Sequence, residues 1–167
     1  MTQWPLQSQC DTFYGNPRGR GGAVVSPSWY KDNMVLLVPP FKMNMDKIKI
    51  TRFPVHKKCK DAFMAWLEKV WENAGKDQKV INDWGMNVFS GSFNYRPMRG
   101  GTRLSMHSYG AAIDFDAPRN AFHDSTPHFE LVKTQVVKPF TDLGGVWGGD
   151  WSGRSVDGMH FQFARVG

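Results

Sequence analysis

The chain has 167 residues, 41% hydrophobic and 22% charged, a globular composition that fits a single domain able to bury a core without disulfide staples. Lys and Arg number 21 against 15 Asp and Glu, a net charge of +6, which favours anionic partners: nucleic acid, an acidic membrane surface or an anionic cell-wall polymer. Two cysteines, Cys10 and Cys59, exclude a disulfide framework and a thiolate zinc cluster and leave open one bridge between them.

Residues 1–33 are rich in Gly, Pro and polar groups, with a Gly-Asn-Pro turn at Gly15–Pro17 and the run Arg18-Gly19-Arg20-Gly21-Gly22. They are expected to be irregular, a turn-rich extension packed on the domain. An arginine–glycine run can contact RNA, but this is one short copy. Met1-Thr2-Gln3-Trp4-Pro5 lacks a basic stretch followed by an apolar one, so no secretory signal is expected. The longest apolar run, Met34 to Pro40, is too short to cross a bilayer, so no stable membrane insertion is expected.

Met34–Val38 predicts a short buried strand stopped by Pro39-Pro40, and the alternation over Lys47–Phe53 predicts a second. After Pro54 comes the clearest helix. Cys59, Phe63, Trp66, Leu67, Val70, Trp71 and Ala74 recur at helical spacing, and Gly75 ends the pattern. Cys59 falls on the apolar face as a buried thiol. A second helix is expected from Thr126-Pro127, with Phe129, Val132, Val136, Phe140 and Leu143 as its stripe. Pro139 should kink or shorten it, and Gly144-Gly145 should close it. Few helices among short strands and turns give an α+β class.

Two of the five histidines sit in unusual company. In Leu104–Asp116, alternation after Gly110 puts Ile113 and Phe115 on one face of a strand and Asp114 and Asp116 on the other. Gly110 would let the preceding turn fold back, so that His107 and Asp114 converge. In Asp157–Phe163, Met159, Phe161 and Phe163 alternate with His160 and Gln162, and Asp157 precedes His160 by three residues. Two imidazoles and one carboxylate form a catalytic zinc set with a fourth position left for water, and a further carboxylate can act as base. Spacing alone allows either Asp114 as ligand with Asp157 as base or the reverse. His56, His123 and His128 read as satisfied core or surface side chains.

At these residues the sequence resembles a known family. Ser105-Met106-His107-Ser108-Tyr109-Gly110-Ala111-Ala112-Ile113-Asp114 is similar to the Ser-x-His-x-x-Gly-x-Ala-x-Asp motif of the D-alanyl-D-alanine carboxypeptidase (VanY-like) zinc peptidases, which include phage L-alanyl-D-glutamate endopeptidases. Asp157-Gly158-Met159-His160 resembles the second motif. Ser92–Arg96 with Arg99-Gly100-Gly101, and Gly145–Trp151, resemble the family's tyrosine–arginine and tryptophan–glycine segments. The resemblance runs from about residue 54 to 163 and is looser over 1–50.

The resemblance implies a small antiparallel sheet with flanking helices, a hedgehog/DD-peptidase-like zinc peptidase domain filling residues 1–167. It implies a Zn²⁺ cofactor held by His107, Asp114 and His160. It makes Asp157 the catalytic acid/base, where many relatives carry Glu, and Arg96 the oxyanion or substrate-carboxylate partner. Ser105, Tyr109 and Trp151 are implied to bind substrate, with Trp147 either a further cleft residue or, as tryptophans more often are, core; Asp116 and Asp150 would either support the histidines or be plain turn and strand-edge carboxylates. The expected substrate is the stem peptide of bacterial peptidoglycan. The expected agent is a monomeric phage-type endolysin made in the host cytoplasm and cutting L-Ala-D-Glu. The alternatives are a DD-carboxypeptidase or another stem-peptide endopeptidase. A carboxypeptidase needs an extra cation for the terminal carboxylate, for which Arg99 or Arg103 is available. A basic wall-binding module with a structural metal, or a nucleic-acid binder, are the readings from other classes.

Overall fold

The computed structural model describes residues 3–98 and 101–167, so Arg99 and Gly100 of the tyrosine–arginine segment lie outside the described residues. Helix α1 (Cys10–Phe13) and helix α2 (Pro27–Asn33) open the chain. The first 33 residues are therefore not wholly irregular. α2 starts where Ser26 accepts a hydrogen bond from the Trp29 N–H with Pro27 in the first turn, a helix start written in the sequence. The arginine–glycine run is folded too: Tyr95 OH donates to Gly22 O at 2.6 Å.

Strand β1 (Met34–Leu37) is followed by the hairpin β2 (Met43–Met45) and β3 (Ile48–Ile50), then by β4 (Phe53–His56). β1 pairs antiparallel with β4, Leu36 opposite Pro54. The expected strand over 47–53 is thus two strands, and the turn between them lets Pro54 sit in a two-stranded sheet, where its missing N–H leaves no central ladder broken. Helix α3 (Lys60–Asn73) buries Phe63, Trp66, Leu67 and Val70 as the spacing predicts, and Gly75 (φ 66°) closes it. Cys59 begins it as a fully buried thiol, and both cysteines are free. Helix α4 (Gln78–Trp84), not anticipated, has Asp77 as N-cap and left-handed Gly85 at its end.

The sheet that matters most is four-stranded and antiparallel, in the order β5 (Phe89–Gly91), β6 (Ala112–Phe115), β8 (His160–Gln162), β7 (Val146–Trp147). Its inner face carries Ile113, Phe115 and Phe161, all buried, and packs on α3 with the Trp66 ring 4.6 Å from that of Phe161. The expected second long helix is broken instead: a 3₁₀ turn at His128–Val132, a π turn at Lys133–Val137 and helix α5 (Lys138–Thr141). Pro139 lies in the first turn of α5, where its lacking N–H is tolerated, and the wider π turn precedes it.

His56 shows what the core demands of a buried imidazole. It is 0% exposed, its Nε2 donates to Tyr14 O at 2.9 Å, and its Nδ1 accepts from the Lys58 N–H at 3.0 Å. Both nitrogens are satisfied only in the neutral form. Burial pushes its pKa down to about 4, against the opposing hydrogen bond to Tyr14 O. On acidification the unfolded chain takes up this proton first, so stability falls as pH drops from about 6.5 to about 4, by on the order of 3 kcal/mol. We expect His56→Gln to be less stable at pH 7 but to lose less stability on going to pH 4.5, read from urea midpoints. An equal acid loss in wild type and variant would refute this.

Candidate metal centre and cleft

Asp114 on β6 stands directly opposite His160 on β8. Opposed residues in an antiparallel pair share a face, so carboxylate and imidazole meet on the outer side of the sheet. His107 comes from the 3₁₀ turn Met106–Tyr109, whose entry is set by Ser105 Oγ accepting from the His107 N–H at 3.2 Å. Gly110 turns the chain back at φ 70°. A Cβ there would also lie 2.6 Å from the Met34 side chain and 2.7 Å from the His56 backbone N, so only glycine fits. The turn delivers His107 Nε2 to 3.2 Å from Asp114 Oδ2, with His160 Nδ1 3.1 Å from Asp114 Oδ1. Among the described residues, His107, Asp114 and His160 form the one group of three or more such side chains able to hold a metal ion, their donor atoms within 4.8 Å of one another. Asp157 is not in that group.

The outer nitrogens of both rings decide which atoms face inward. His107 Nδ1 lies 2.7 Å from Ser92 O, an acceptor, so Nδ1 carries the proton and Nε2 presents its lone pair. Gln162 Nε2 donates to Ala164 O at 2.8 Å and Gln7 Oε1 at 3.0 Å. Its Oε1 therefore faces His160 Nε2, at 2.7 Å, and holds the proton there, leaving Nδ1 free to coordinate. Two lone pairs and a carboxylate thus converge, the donor set of a catalytic zinc site. Burial works against an ionised Asp114, but the His107 and His160 imidazoles beside it hold its carboxyl well below the usual range. Burial likewise disfavours charged His160, yet Asp114, with help from Asp157 and Gln162, raises its pKa above the ordinary imidazole value.

The centre opens on a cleft of about 550 Å³. Arg96, Ser105, Trp151, Asp157 and His160 line it, with Gln7 from the N-terminal segment. The Trp151 ring lies 5.5 Å from that of His160. Asp157 is held at the rim by its N–H donating to Gly148 O at 3.0 Å. A Cβ on Gly148 would come within 2.3 Å of Asp157 O, so glycine at 148 permits this approach. Arg96 is placed by Ser108, whose Oγ accepts from the Arg96 N–H at 3.0 Å and donates to Arg96 O at 2.9 Å.

Other expected cleft residues lie elsewhere. Tyr109 is buried beneath the turn and its hydroxyl donates to Asp11 Oδ1. Trp147 is fully buried, its Nε1 donating to Gly158 O at 2.7 Å. Asp116 is not beside the histidines; it pairs with Arg119 at 2.7 Å. Asp150 does line the cleft but is paired with Lys133 at 3.0 Å. His123 is exposed, and His128 Nε2 lies 3.3 Å from Asp83 O. Gln162 and Ser92 O were not anticipated. Gln162 shares the outward face with His160 at i+2, a signal present in the alternation, whereas a backbone acceptor leaves none.

Zinc added at 100 times its Kd should stabilise the wild type by about 2.7 kcal/mol, raising the melting temperature by roughly 5–10 °C. Asp114→Ala should show no such rise. The metal requires neutral imidazoles, and His160 holds its proton to a higher pH than usual, so zinc affinity should weaken as pH falls through that raised value. Chelator competition across pH measures this, and a pH-independent affinity would contradict the assigned donors.

No curated protein and no solved structure was found to match the chain. The family model described as D-alanyl-D-alanine carboxypeptidase matches residues 99–163, the stretch that runs from the turn bearing His107 through the strands bearing Asp114 and His160. Over residues 99–163 the chain is therefore similar to the D-alanyl-D-alanine carboxypeptidase family, a match that supports a metallopeptidase acting on peptidoglycan.

Proposed function

We propose that the chain, acting as one monomeric domain, is a zinc-dependent endopeptidase of the peptidoglycan stem peptide, of the phage-lysin type and cutting L-Ala-D-Glu. The observation that carries the endopeptidase reading is the charge of the cleft. Among the described residues lining it, Arg96 is the one cation, beside the carboxylates of Asp150 and Asp157. A carboxypeptidase must also fix a terminal carboxylate. Arg103 is exposed and does not line the cleft, so no second cation waits for that group among the described residues. Among the described residues, which leave out Arg99, a cleft lined by one arginine suits a peptide that continues past the scissile bond.

In this reading His107 Nε2, Asp114 and His160 Nδ1 hold the zinc, with Ser92 O and Gln162 keeping both rings in the coordinating tautomer. Zinc, when bound, supplies a Lewis acid that acidifies water and polarises the scissile carbonyl. Asp157 takes the proton of the attacking water and returns it to the leaving amine nitrogen. Arg96 offers its guanidinium to the oxygen on which negative charge develops. Trp151 gives an apolar wall for the substrate backbone. Ser105 acts through the turn it caps, its hydroxyl already accepting from the His107 N–H.

The net charge has an address. Residues 42–60 hold seven Lys and Arg against the single Asp46, which accounts for the whole +6 of the chain. Six of the seven are exposed, and none of this segment lines the cleft. It would retain the enzyme on an anionic wall while the cleft works on the peptide.

Mass spectrometry of digested peptidoglycan should show muropeptide sugars separated from intact peptides with new N-terminal Glu. Release of single D-Ala without that separation would overturn the endopeptidase assignment. Asp157→Asn should lower kcat about 10²–10⁴-fold while zinc affinity stays near wild type; wild-type lysis by that variant would remove Asp157 from the mechanism. Lysis should weaken as salt rises from 0.1 M to 1 M, where screening shortens from about 10 to about 3 Å. Replacing Lys47, Lys49 and Lys58 by Gln should flatten that salt response.

A further inference from the structure

The cleft and the metal centre share a residue that lies far outside the family-matched stretch. Gln7 sits in a 3₁₀ turn, Gln7–Gln9, that is pinned to the end of the chain. Its N–H donates to Arg165 O at 2.9 Å, the Arg165 N–H donates to Pro5 O at 2.8 Å, and Arg165 Nε donates to Trp4 O at 2.7 Å. Trp4 stacks on Phe163 with ring centroids 4.4 Å apart and donates its Nε1–H to Leu143 O at 2.9 Å. The turn is therefore rigidly placed against the strand that carries His160. From it the Gln7 side chain reaches the cleft wall, with Oε1 accepting from Gln162 Nε2 at 3.0 Å and Nε2 3.9 Å from Met98 Sδ.

We propose that Gln7 is a positioning residue for the metal centre: it locks the Gln162 amide, and through it fixes the tautomer and aim of His160. Every donor and acceptor of the Gln162 amide has one partner. Gln162 is 1% exposed, so its amide has no bulk water to fall back on. Its two amide hydrogens go to Ala164 O and Gln7 Oε1, and its oxygen to His160 Nε2. With Gln7 Oε1 in place, flipping the amide would set Gln162 oxygen against two acceptors and its NH₂ against the His160 N–H. Without Gln7, one of these three mismatches against the flip is gone. A flipped amide would draw the His160 proton onto Nδ1, the atom that faces His107 and Asp114. Gln7 thus makes the N-terminal segment part of the peptidase centre.

The inference rests on His160 serving as a metal ligand, and its test separates the two. Gln7→Met keeps the length and apolar stem at a half-exposed position but removes the acceptor; Gln7→Glu keeps an acceptor oxygen. In the metal-free full-length protein, nitrogen-15 NMR of the imidazoles should report a single Nε2–H tautomer for His160 in wild type and Gln7→Glu, and a mixed or exchanging ring in Gln7→Met. By chelator competition, zinc affinity should fall about three- to tenfold in Gln7→Met, below the 10–100-fold typical of direct partners of a ligand, with recovery in Gln7→Glu. Gln7→Ala should reproduce the Gln7→Met result. Folded Gln7→Met with an unchanged tautomer and zinc affinity would overturn the proposal. So would failure of both Gln7→Met and Gln7→Ala to fold, which would make Gln7 a folding residue. If wild type itself takes up no zinc, the metal reading fails, while the tautomer measurement still judges Gln7 on its own.

Discussion

The site depends on one cross-strand pair, Asp114 facing His160 between β6 and β8. Register in a sheet with one buried face is all or nothing, because a slip of one residue sends every side chain to the opposite face. Here the inner face is fixed by Ile113 and Phe161, which are fully buried against α3. The same pairing that puts these apolar residues inside must put Asp114 and His160 outside. Hydrophobic burial therefore sets the positions of the polar ligands, and no polar contact has to hold the two strands in register.

That placement leaves a carboxylate and two imidazoles packed together with little water, which is unfavourable unless every polar atom is matched. The protein matches them from three directions. Ser92 O takes the outer N–H of His107, Gln162 takes that of His160, and the Asp114 carboxylate faces the inner nitrogen of each ring at 3.2 and 3.1 Å, where a shared proton or a bound cation balances its charge. Asp114 raises the pKa of His160 and the two imidazoles lower that of Asp114, so on acidification the cluster takes up a proton more readily than a free imidazole. A metal bound there would compete with that proton in a site whose geometry is already formed, with little reorganisation.

How much of this could be read in the sequence follows from the range of each signal. Alternation around Ile113 and Phe161 is local and strong, so the strands, their faces and the convergence of His107 with Asp114 through Gly110 were legible. The resemblance to the family motifs proposes Asp114 as ligand and Asp157 as base, a choice that spacing alone leaves open. α2 and α4 are seven residues each, too short for an apolar period to stand out, although Ser26-Pro27 and the Asp77…Gly85 bracket mark their ends. The single helix expected after Thr126 failed because an apolar stripe survives when 3₁₀, π and α turns follow one another, and Phe129, Val136 and Phe140 are buried all the same. Proximity to motifs points Tyr109 to the cleft and leaves Trp147 between cleft and core. Their hydroxyl and indole N–H found partners at Asp11 and Gly158 O, within the fold, because buried polar handles of aromatic rings require an acceptor and take the nearest.

The matched stretch 99–163 contains all three donor side chains but not what makes them a site. Its sheet needs α3, since Trp66 packs on Phe161 and Phe115 at 4.6 and 5.6 Å. Its first histidine needs Ser92 O, and its turn needs Tyr14, whose carbonyl takes the His56 imidazole while the His56 N–H donates to Gly110 O at 2.8 Å. Its second histidine is buttressed by Gln162 and Gln7, and the Phe163 ring behind them is covered by Trp4. Tyr14 OH in turn donates to Phe163 O at 2.6 Å. Motifs thus report where the chemistry touches the chain, while the rigidity that chemistry requires is assembled from segments whose contribution is a carbonyl, a ring face or an amide. Such contributions leave little trace in a motif, because many residue types can supply them. The N-terminal segment, compositionally the least distinctive part of the chain, is for this reason as much a part of the centre as the strands that bear its ligands.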